Sequence, residues 1–282
     1  MIASRFVGPH FALLPPRGEE TPVVVEVPHA GLSVPPHFAT TLLASARSIA
    51  RDADLFVDDI YADAVMVGAT VLVSRVSRYV VDLNRAETDV DAEAVENAPS
   101  SPRAPRGVVW RLTTDNERCL AAPLKRRELE ARLDEIYRPY HAALATVIED
   151  KLERFGVCVL LAGHSMPSVG RTGHGDTNLE RADVVPGTQG RTTAAAALID
   201  VVERHVKETG LSIKHDEPYR GGYATRHWGR PSEGVHAVQV EIARRLYMDE
   251  AALVKTDAFP AIQTFARELV RKLGAASLLL RA

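Results

Sequence analysis

The chain has 282 residues, of which 46% are hydrophobic and 25% are charged, a composition typical of a globular protein with a sizeable core. Its net charge of -3 provides no basic surface for nucleic acid and favours a small anionic or neutral molecule as its ligand. Two cysteines without a CxxC motif form no disulfide framework, which favours a reducing, cytoplasmic location.

Neither export nor membrane insertion is predicted. Residues 1–14 lack a basic segment followed by a long apolar run, and no apolar segment approaches the ~18 residues that a membrane span needs. We therefore expect a protein that stays in the cytoplasm and has no membrane partner.

The first predicted strand places a histidine in a turn. The β-branched run Val23–Val27 stops at Pro28, and His29 follows in a Pro-His-Ala-Gly turn. Ligands of open α/β sheets bind beyond the carboxyl ends of the strands, so His29 is a candidate site residue.

Two aspartates stand at the start of the next predicted element, a helix over 53–67 with an apolar face of period 3.6. Asp52 and Asp54 fit the role of N-terminal caps, because carboxylates there accept hydrogen bonds from free amides and favour the helix dipole. Capping explains one aspartate more easily than two, so Asp54 remains a candidate for another function.

Two further strands are predicted over 70–73 and 79–83, and the second ends at Asn84 and Arg85. An arginine at a strand end can bind a planar carboxylate through two parallel hydrogen bonds, although an ordinary surface arginine is an equally good interpretation. Segment 86–107 is acidic and then rich in Pro and Ser, without periodicity, which predicts a long loop or a flap over a site.

The longest helical pattern covers 124–155, with a kink or break expected near Arg138 because Pro139 follows it. It leads into the uninterrupted apolar run 157–162, which predicts a central strand buried on both faces. His164 is the first strongly polar side chain after that run. His164 could serve in a site or could be a core histidine bonded to a backbone carbonyl. Polar residues at the ends of other strands would favour the site.

A carboxylate lies in the last predicted strand, over 237–242. Glu241 stands there among apolar neighbours, where its charge is costly unless it is paired, hydrogen-bonded or near a metal. An ion pair with Arg244 or Arg245 is the alternative. The other predicted elements are a loop over 168–190, a helix over 192–208, a short strand over 211–214, an aromatic and basic loop over 218–231, a helix from Glu250 that Pro260 interrupts, and a last helix over 262–273.

Strands alternate with helices along the whole chain, and no linker interrupts them. This pattern predicts one α/β catalytic domain over residues 1–282, with a mixed sheet between helical layers.

The candidate residues together suggest a metal site. Two histidines and a carboxylate are usual ligands of a catalytic zinc, and a further carboxylate can take a proton from water. No local metal motif such as HExxH is present, so the fold must bring these residues together.

Seven motifs resemble the N-formylglutamate amidohydrolase (deformylase) family, which is related to zinc carboxypeptidases and aspartoacylases. They stand in the order of that family and cover most of the chain between Pro22 and Asp249. The motifs are Pro28-His29-Ala30-Gly31, Asp52-Ala53-Asp54, Arg78–Arg85, Pro139-Tyr140-His141, His164-Ser165, Pro218–His227, and His236–Glu241 with its continuation to Met248.

The resemblance implies a three-layer α/β sandwich with a mixed central sheet, like that of the zinc carboxypeptidases, and one zinc ion per chain. Glu241 is the implied general base. The implied metal ligands are His29, Asp54 and His164. The implied contacts to the carboxylates of the substrate are Asn84, Arg85 and Arg226.

The carboxylate ligand has alternatives. Related carboxypeptidases take theirs from a glutamate three residues after the first histidine, where this chain has Leu32. Asp54 is our choice, with Asp52 second and Glu26 third.

One motif departs from the family. Its members are expected to have Asp-x-His-Ser where this chain has Ala162-Gly163-His164-Ser165. A small residue thus replaces a carboxylate that would orient the histidine, and such partners influence metal affinity.

The expected reaction is the zinc-dependent hydrolysis of an N-formyl amino acid. The best candidate substrate is N-formyl-L-glutamate, which would give formate and L-glutamate in histidine degradation. Two alternatives stay open: an N-acyl amino acid hydrolase or small-peptide peptidase with the same metal site, and a catalytically degenerate protein that binds an acidic metabolite. The oligomeric state also stays open, a homo-oligomer included.

Overall fold

The structure is a computed structural model that describes residues 8–99 and 104–280. Its strands are β1 (Phe11–Leu14), β2 (Val23–Val27), β3 (Thr70–Ser74), β4 (Cys158–Met166), β5 (Val184–Gly187) and β6 (Val235–Ala243), together with the short pair β7 (Met248–Asp249) and β8 (Val254–Lys255). The first six form one mixed sheet of order β1-β3-β2-β4-β6-β5. The inner four strands are parallel, and β1 and β5 pair antiparallel at the edges.

Helices cover both faces of the sheet. The α-helices are α1 (Pro36–Ala39), α2 (Ala46–Asp52), α3 (Val57–Ile60), α4 (Arg126–Arg132), α5 (Arg138–Phe155), α6 (Ala196–Glu208), α7 (Tyr223–Trp228) and α8 (Phe259–Ser277). Single 3-10 turns or short 3-10 helices cover Ala62–Val67, Pro231–Glu233, Arg244–Leu246 and Leu278–Leu280, and a wide π-turn covers Leu133–Tyr137. Among the described residues, no helix is both long and apolar enough to cross a membrane.

Alternating side chains of the central strands supply two separate cores. Leu160 of β4 packs in the core under α4 and α5, whereas its neighbours Val159 and Leu161 pack in the core under α3, α6 and α8. Every residue of β4 is buried, as expected of a parallel strand covered on both faces. The predicted three-layer α/β sandwich with a mixed sheet is therefore confirmed.

The strand order reverses between β2 and β4, because the chain leaves β2 for β3 on one side and returns to β4 on the other. Such a reversal opens a crevice at the carboxyl ends of the two strands, where α/β proteins bind ligands. His29 follows β2 by two residues, and His164 lies in the last three residues of β4. Glu241 of β6 pairs directly with His164 in the register of the sheet.

The strand predicted over 79–83 is wrong, since these residues form turns. β1 already pairs with β3, so that edge offers no neighbour. Ser77 accepts a hydrogen bond from the backbone N–H of Tyr79, and Asp82 accepts one from that of Asn84. The apolar side chains that suggested a strand are buried in the core instead.

The helix predicted over 53–67 is also wrong. Two short helices, α3 and Ala62–Val67, follow Phe56, whose left-handed φ of 65° breaks the helical path. Asp52 is the last residue of α2, and Asp54 lies between α2 and α3. Neither aspartate is an N-terminal cap of the predicted helix.

Of the remaining predicted elements, some are confirmed and others are wrong. The predicted break near Arg138 is confirmed, because the π-turn ends there and Pro139 lies in the first turn of α5. No helix starts at Glu250, and Pro260 lies in the first turn of α8 rather than interrupting a helix. The loop predicted over 168–190 contains edge strand β5, and the strand predicted over 211–214 is a single bridge at Ile213.

Most of the segment 86–107 is described, and residues 100–103 of it lie outside the described ranges. The described part contains no helix or strand. Its residues Val90, Ala94 and Val95 are buried in the core beside α4, and Asp89 lines the cavity discussed below. The segment thus packs on the core as an irregular loop.

Candidate active site

A cavity of about 520 Å³ opens over the carboxyl ends of the parallel strands. His29, Asp54, His164 and Glu241 all line it, so the fold brings together residues that lie far apart in the sequence. All four side chains are buried.

His29, Asp54 and His164 form one compact cluster, with one ligand atom of each within 4.8 Å of the others. Nδ1 of His164 lies 2.9 Å from Oδ2 of Asp54, and Nδ1 of His29 lies 3.6 Å from the same oxygen. The two imidazole rings meet edge to face, with their centroids 4.9 Å apart.

Asp54 is fixed by its backbone and by cations. Its N–H donates to the carbonyl of His29 over 3.0 Å, which ties the loop after α2 to the turn after β2. Arg244 and Arg78 lie 3.5 and 3.9 Å from Oδ1. Burial alone would raise the pKa of Asp54, but the contacts with the two histidines hold it well below its ordinary value, so the carboxylate is ionised.

Asp82 orients His29 from the side opposite to Asp54. Its Oδ1 lies 2.8 Å from Nε2 of His29, and its Oδ2 accepts hydrogen bonds from Arg78 and Trp110. Burial opposes ionisation, but the charges of His29 and Arg78 keep the pKa of Asp82 well below its usual range. The sequence reasoning gave Asp82 no role, although the residue stands in the motif Arg78–Arg85.

The residues fit a metal ion. Nδ1 of His29 is buried and has no hydrogen-bond partner in the part of the chain that the structure describes, whereas Nε2 is held by Asp82. A carboxylate that holds the far nitrogen of a histidine is the usual second partner at a metal site. Two imidazole nitrogens and one carboxylate oxygen also suit zinc and leave a coordination position open.

The two alternative carboxylates lie outside the cluster. Asp52 accepts hydrogen bonds from the Tyr79 hydroxyl and the backbone N–H of Thr114 and pairs with Arg171 at 2.6 Å. Glu26, on β2, accepts a hydrogen bond from Tyr140. Of the three candidates, Asp54 alone lies between the two histidines.

Glu241 lies beside the cluster, and no cation of the described residues contacts it. Gln239, two residues earlier on the same face of β6, donates to Oε1 of Glu241 over 2.8 Å. Burial raises the pKa of Glu241 to about 7, while the charge of His164 lowers it and that of Asp54 raises it. The alternative ion pair is not formed, because Arg244 turns to the carbonyls of Arg51 and Ala53. Gln239 was missed by the sequence reasoning, although a polar residue two positions before Glu241 in a buried strand was a usable signal.

The three proposed substrate contacts occupy different depths. Asn84 is buried: its Nδ2 donates to Gln239 and lies 3.3 Å from Nε2 of His164, and its Oδ1 accepts from the backbone of Ala224. Arg85 lines the cavity with its guanidinium bonded to backbone carbonyls. Arg226 lies on α7 at the exposed rim.

The departure at Ala162-Gly163 has a local structural setting. A Cβ atom at position 163 would lie 2.5 Å from the ring of Tyr61, so β4 needs glycine there. Ala162 pairs with Glu26 on β2 and with Gln239 on β6. Nε2 of His164, which the missing carboxylate would hold, faces Asn84 instead.

The fold and the site together define a three-layer α/β protein whose cluster of two histidines and an aspartate could hold a metal ion at the carboxyl ends of the strands. The profile of the N-formylglutamate amidohydrolase family matches residues 21–248, and the chain belongs to this family.

Named relatives agree with this assignment. An N-formylglutamate deformylase of Pseudomonas aeruginosa is 31% identical over 268 residues, which cover 89% of this chain and 92% of the relative. Another from Pseudomonas putida is 30% identical over 236 residues, covering 81% and 82% of the two chains. The crystal structure of an N-formylglutamate amidohydrolase from Ralstonia eutropha superposes with a TM-score of 0.86 at 29% identity, over 94% of this chain and 97% of the other.

Proposed function

We propose that this protein is a zinc-dependent amidohydrolase that converts N-formyl-L-glutamate and water to formate and L-glutamate. The observation that carries the proposal is the buried His29–Asp54–His164 cluster with Glu241 at its side. The names of the relatives supply the substrate. A cytoplasmic role in histidine degradation belongs to the same proposal.

A zinc ion would be held by His29, Asp54 and His164. When bound, it would supply Lewis acidity, which polarises the formyl carbonyl and makes water more acidic. Asp82 would keep His29 in the tautomer whose Nδ1 is free to bind.

Glu241 is the proposed general base. It takes a proton from the attacking water and delivers that proton to the nitrogen of the departing glutamate, so that the C–N bond breaks as formate forms. A pKa of about 7 suits both steps, because near neutral pH the carboxyl group can both accept and release a proton. Gln239 holds the carboxylate in place.

The cavity suits an anionic substrate. Eight of its described lining residues are arginines. Asn84, Arg85 and Arg226 remain our proposed contacts to the carboxylates, with Asn84 also placing His164.

A comparison of acyl groups tests this function. Turnover of N-formyl-L-glutamate, N-acetyl-L-glutamate and a short glutamyl peptide would be measured with and without a metal chelator. We expect rapid chelator-sensitive deformylation and little release of acetate or amino acids. Faster cleavage of the acetyl compound or the peptide would replace this proposal by the broader acyl hydrolase or peptidase, and binding without any turnover would indicate a degenerate protein.

A further inference from the structure

The arginines of the cavity fall into two groups. The full set is Arg51, Arg78, Arg85, Arg106, Arg171, Arg220, Arg226 and Arg244. Six of them are already bound to acceptors of the protein itself, and two are not.

The six bound guanidiniums build the wall of the cavity. Arg51 and Arg171 pair with Asp115, and Arg78 pairs with Asp82. The other three donate to backbone carbonyls: Arg85, Arg106 and Arg244. These hydrogen bonds fix the six guanidiniums in place. Arg85 remains a proposed substrate contact, and the other five contribute positive potential more than new bonds.

Arg220 and Arg226 differ from these six. Both are exposed at the rim, and across residues 8–99 and 104–280 neither guanidinium has a carboxylate, a carbonyl or an aromatic ring as partner. A free guanidinium that lines a cavity can bind a carboxylate through two parallel hydrogen bonds. Arg226 is already a proposed contact, and Arg220 has no role so far.

The backbone places Arg220 above the edge strand of the sheet. The N–H of Gln189 donates to the carbonyl of Arg220 over 2.9 Å, and a Cβ added to Gly187 of β5 would lie 2.8 Å from the carbonyl carbon of Arg220. The guanidinium lies beside Gly190, 3.6 Å from where a Cβ would stand. Arg226 instead lies on α7, which packs against β4 and β6.

Across the sheet, the order is therefore the metal ligand His164 on β4, the base Glu241 on β6, and Arg220 above β5. Two strand spacings, about 10 Å, separate β4 from β5. A substrate whose formyl group lies at the metal reaches Arg220 only with an atom well removed from the reacting carbon.

The substrate has one carboxylate near the reacting carbon and one far from it. The α-carboxyl carbon of N-formylglutamate is three bonds from the formyl carbon, about 3.8 Å, and the side-chain carboxyl carbon is five bonds away, about 6 Å. We propose that Arg220 binds the side-chain carboxylate and thereby sets the preference for acidic N-formyl amino acids, while Arg226 takes the α-carboxylate. This assignment rests on the proposed function.

Hydrogen bonds fix the backbone around Arg220 relative to Glu241, the proposed base. The N–H of Gly222 donates to Oε1 of Gln239 over 2.8 Å, and Gln239 donates to Glu241. Gln189 donates to the carbonyl of Gly221 over 2.7 Å. The segment that carries Arg220 is thus preorganised relative to the catalytic carboxylate, which lowers the cost of orienting the substrate.

The test compares N-formyl-L-glutamate with N-formyl-L-glutamine, which has the same shape without the side-chain charge. In Arg220→Gln we expect kcat/KM for the glutamate compound to fall about 10- to 100-fold, mainly through KM, as for loss of a hydrogen bond to a charged group. The value for the glutamine compound should stay within about 3-fold of wild type. Arg220→Lys should recover part of the loss, because it keeps the charge without the planar fork.

Arg230→Gln is the matched control, since Arg230 is equally exposed on the same segment but pairs with Glu233 away from the cavity. It should keep the preference of the wild-type enzyme. Equal losses on both substrates in Arg220→Gln, or an unchanged preference for glutamate, would overturn the role of Arg220. A wild-type enzyme that hydrolyses neither N-formyl compound would instead overturn the proposed function.

Discussion

Buried carboxyl groups in and near the site differ in charge because their partners differ. Asp54 lies against two histidines and Asp82 against one, arginines lie close to both, and the pKa values of the two aspartates lie well below the ordinary range. Within residues 8–99 and 104–280 no cation contacts Glu241 or Glu26, and burial raises their pKa values to about 7 and about 8. The site therefore combines fixed anions, suited to hold a cation, with a carboxyl group suited to exchange a proton.

Glu241→Gln tests the general base. The amide keeps the size of the side chain and can still interact with Gln239, but it cannot accept a proton from water. We expect kcat to fall by at least about 100-fold, the usual range for loss of a general base, while bound zinc stays near one ion per chain. Steady-state kinetics and metal analysis measure the two quantities. Full activity in this variant would remove Glu241 from the mechanism.

Glu26 gives a prediction about stability and pH. Burial raises its folded pKa from 4.5 to about 8, so between these values the folded protein keeps a proton that the unfolded chain releases. The stability that Glu26 contributes is present below pH 4.5 and is lost as the pH rises towards 8. Glu26→Gln does not titrate, so its free energy of unfolding relative to wild type should rise between pH 5 and 8.

The expected slope is at most about 1.4 kcal/mol per pH unit, the value for one proton. Urea unfolding at pH 5, 6, 7 and 8 measures it. The test is how the difference in free energy of unfolding between Glu26→Gln and wild type changes with pH, not its value at one pH. The amide leaves one of its polar groups without a partner, which shifts this difference by the same amount at every pH. A difference that does not change with pH would show that Glu26 is ionised in the folded protein.

The site residues that could be predicted from the sequence are those that lie at the ends of apolar strands. His29, His164 and Glu241 follow or end apolar strands, and the strand-end rule identifies such positions without a structure. Gln239 contacts Glu241 on its own strand, so its polar character in a buried strand was the available signal. Asp82 acts through a contact with the turn after β2, which no local pattern shows. The same limit made Asp54 look like a helix cap, since only the folded loop brings it between two histidines.

At the scale of elements, strand β4 is tightly confined where it carries the site. Its Gly163 lies against the ring of the buried Tyr61, and the next residue is His164. Tyr61 belongs to the turn between α3 and the 3-10 helix Ala62–Val67 and packs in the core under α3, α6 and α8, whereas the alternation of side chains along β4 turns His164 towards the opposite face of the sheet. The position of His164 thus depends on packing from the other layer.

Gly163→Ala tests this packing. The added Cβ would lie 2.5 and 2.8 Å from two ring carbons of Tyr61, so the strand or the ring must shift. We expect a loss of about 1–3 kcal/mol in the free energy of unfolding, typical of an overpacked core, and a lower kcat because His164 moves with the strand. Urea unfolding and kinetics measure both. Gly175→Ala, where no atom lies within 4 Å of the added Cβ, should behave as wild type, and equal behaviour of the two variants would contradict the packing argument.

Strands were predictable where a buried apolar run also pairs with neighbouring strands in the sheet. β2, β4 and β6 are apolar runs inside the sheet, and the sequence identifies each of their ends to within four residues. Residues 79–83 have the same composition, but the sheet offers them no partner strand, and they pack as turns. Edge strand β5 was missed because Pro186 and Gly187 resemble a loop, and Pro is tolerated at a sheet edge.

At the scale of the whole molecule, the His29–Asp54–His164 cluster joins three separate parts of the chain. His29 follows β2, Asp54 lies between α2 and α3, and His164 lies on β4. The unfolded chain does not hold these residues together, so a metal that binds them stabilises the folded state. Zinc and stability should therefore be linked.

This linkage is measurable as a shift in the thermal midpoint. With free zinc at about 100 times its dissociation constant, the folded state gains about 2.7 kcal/mol, which corresponds to a rise of roughly 5 °C for a protein of this size. Wild-type protein purified with a chelator should show this rise when zinc is returned. His29→Asn should show almost none, because one ligand is missing, whereas His215→Asn, which changes a histidine paired with Glu203 outside the cavity, should respond as wild type does. An equal rise in the His29 variant would place the stabilising metal at another site, and no rise in the wild-type protein would mean that the cluster does not hold zinc.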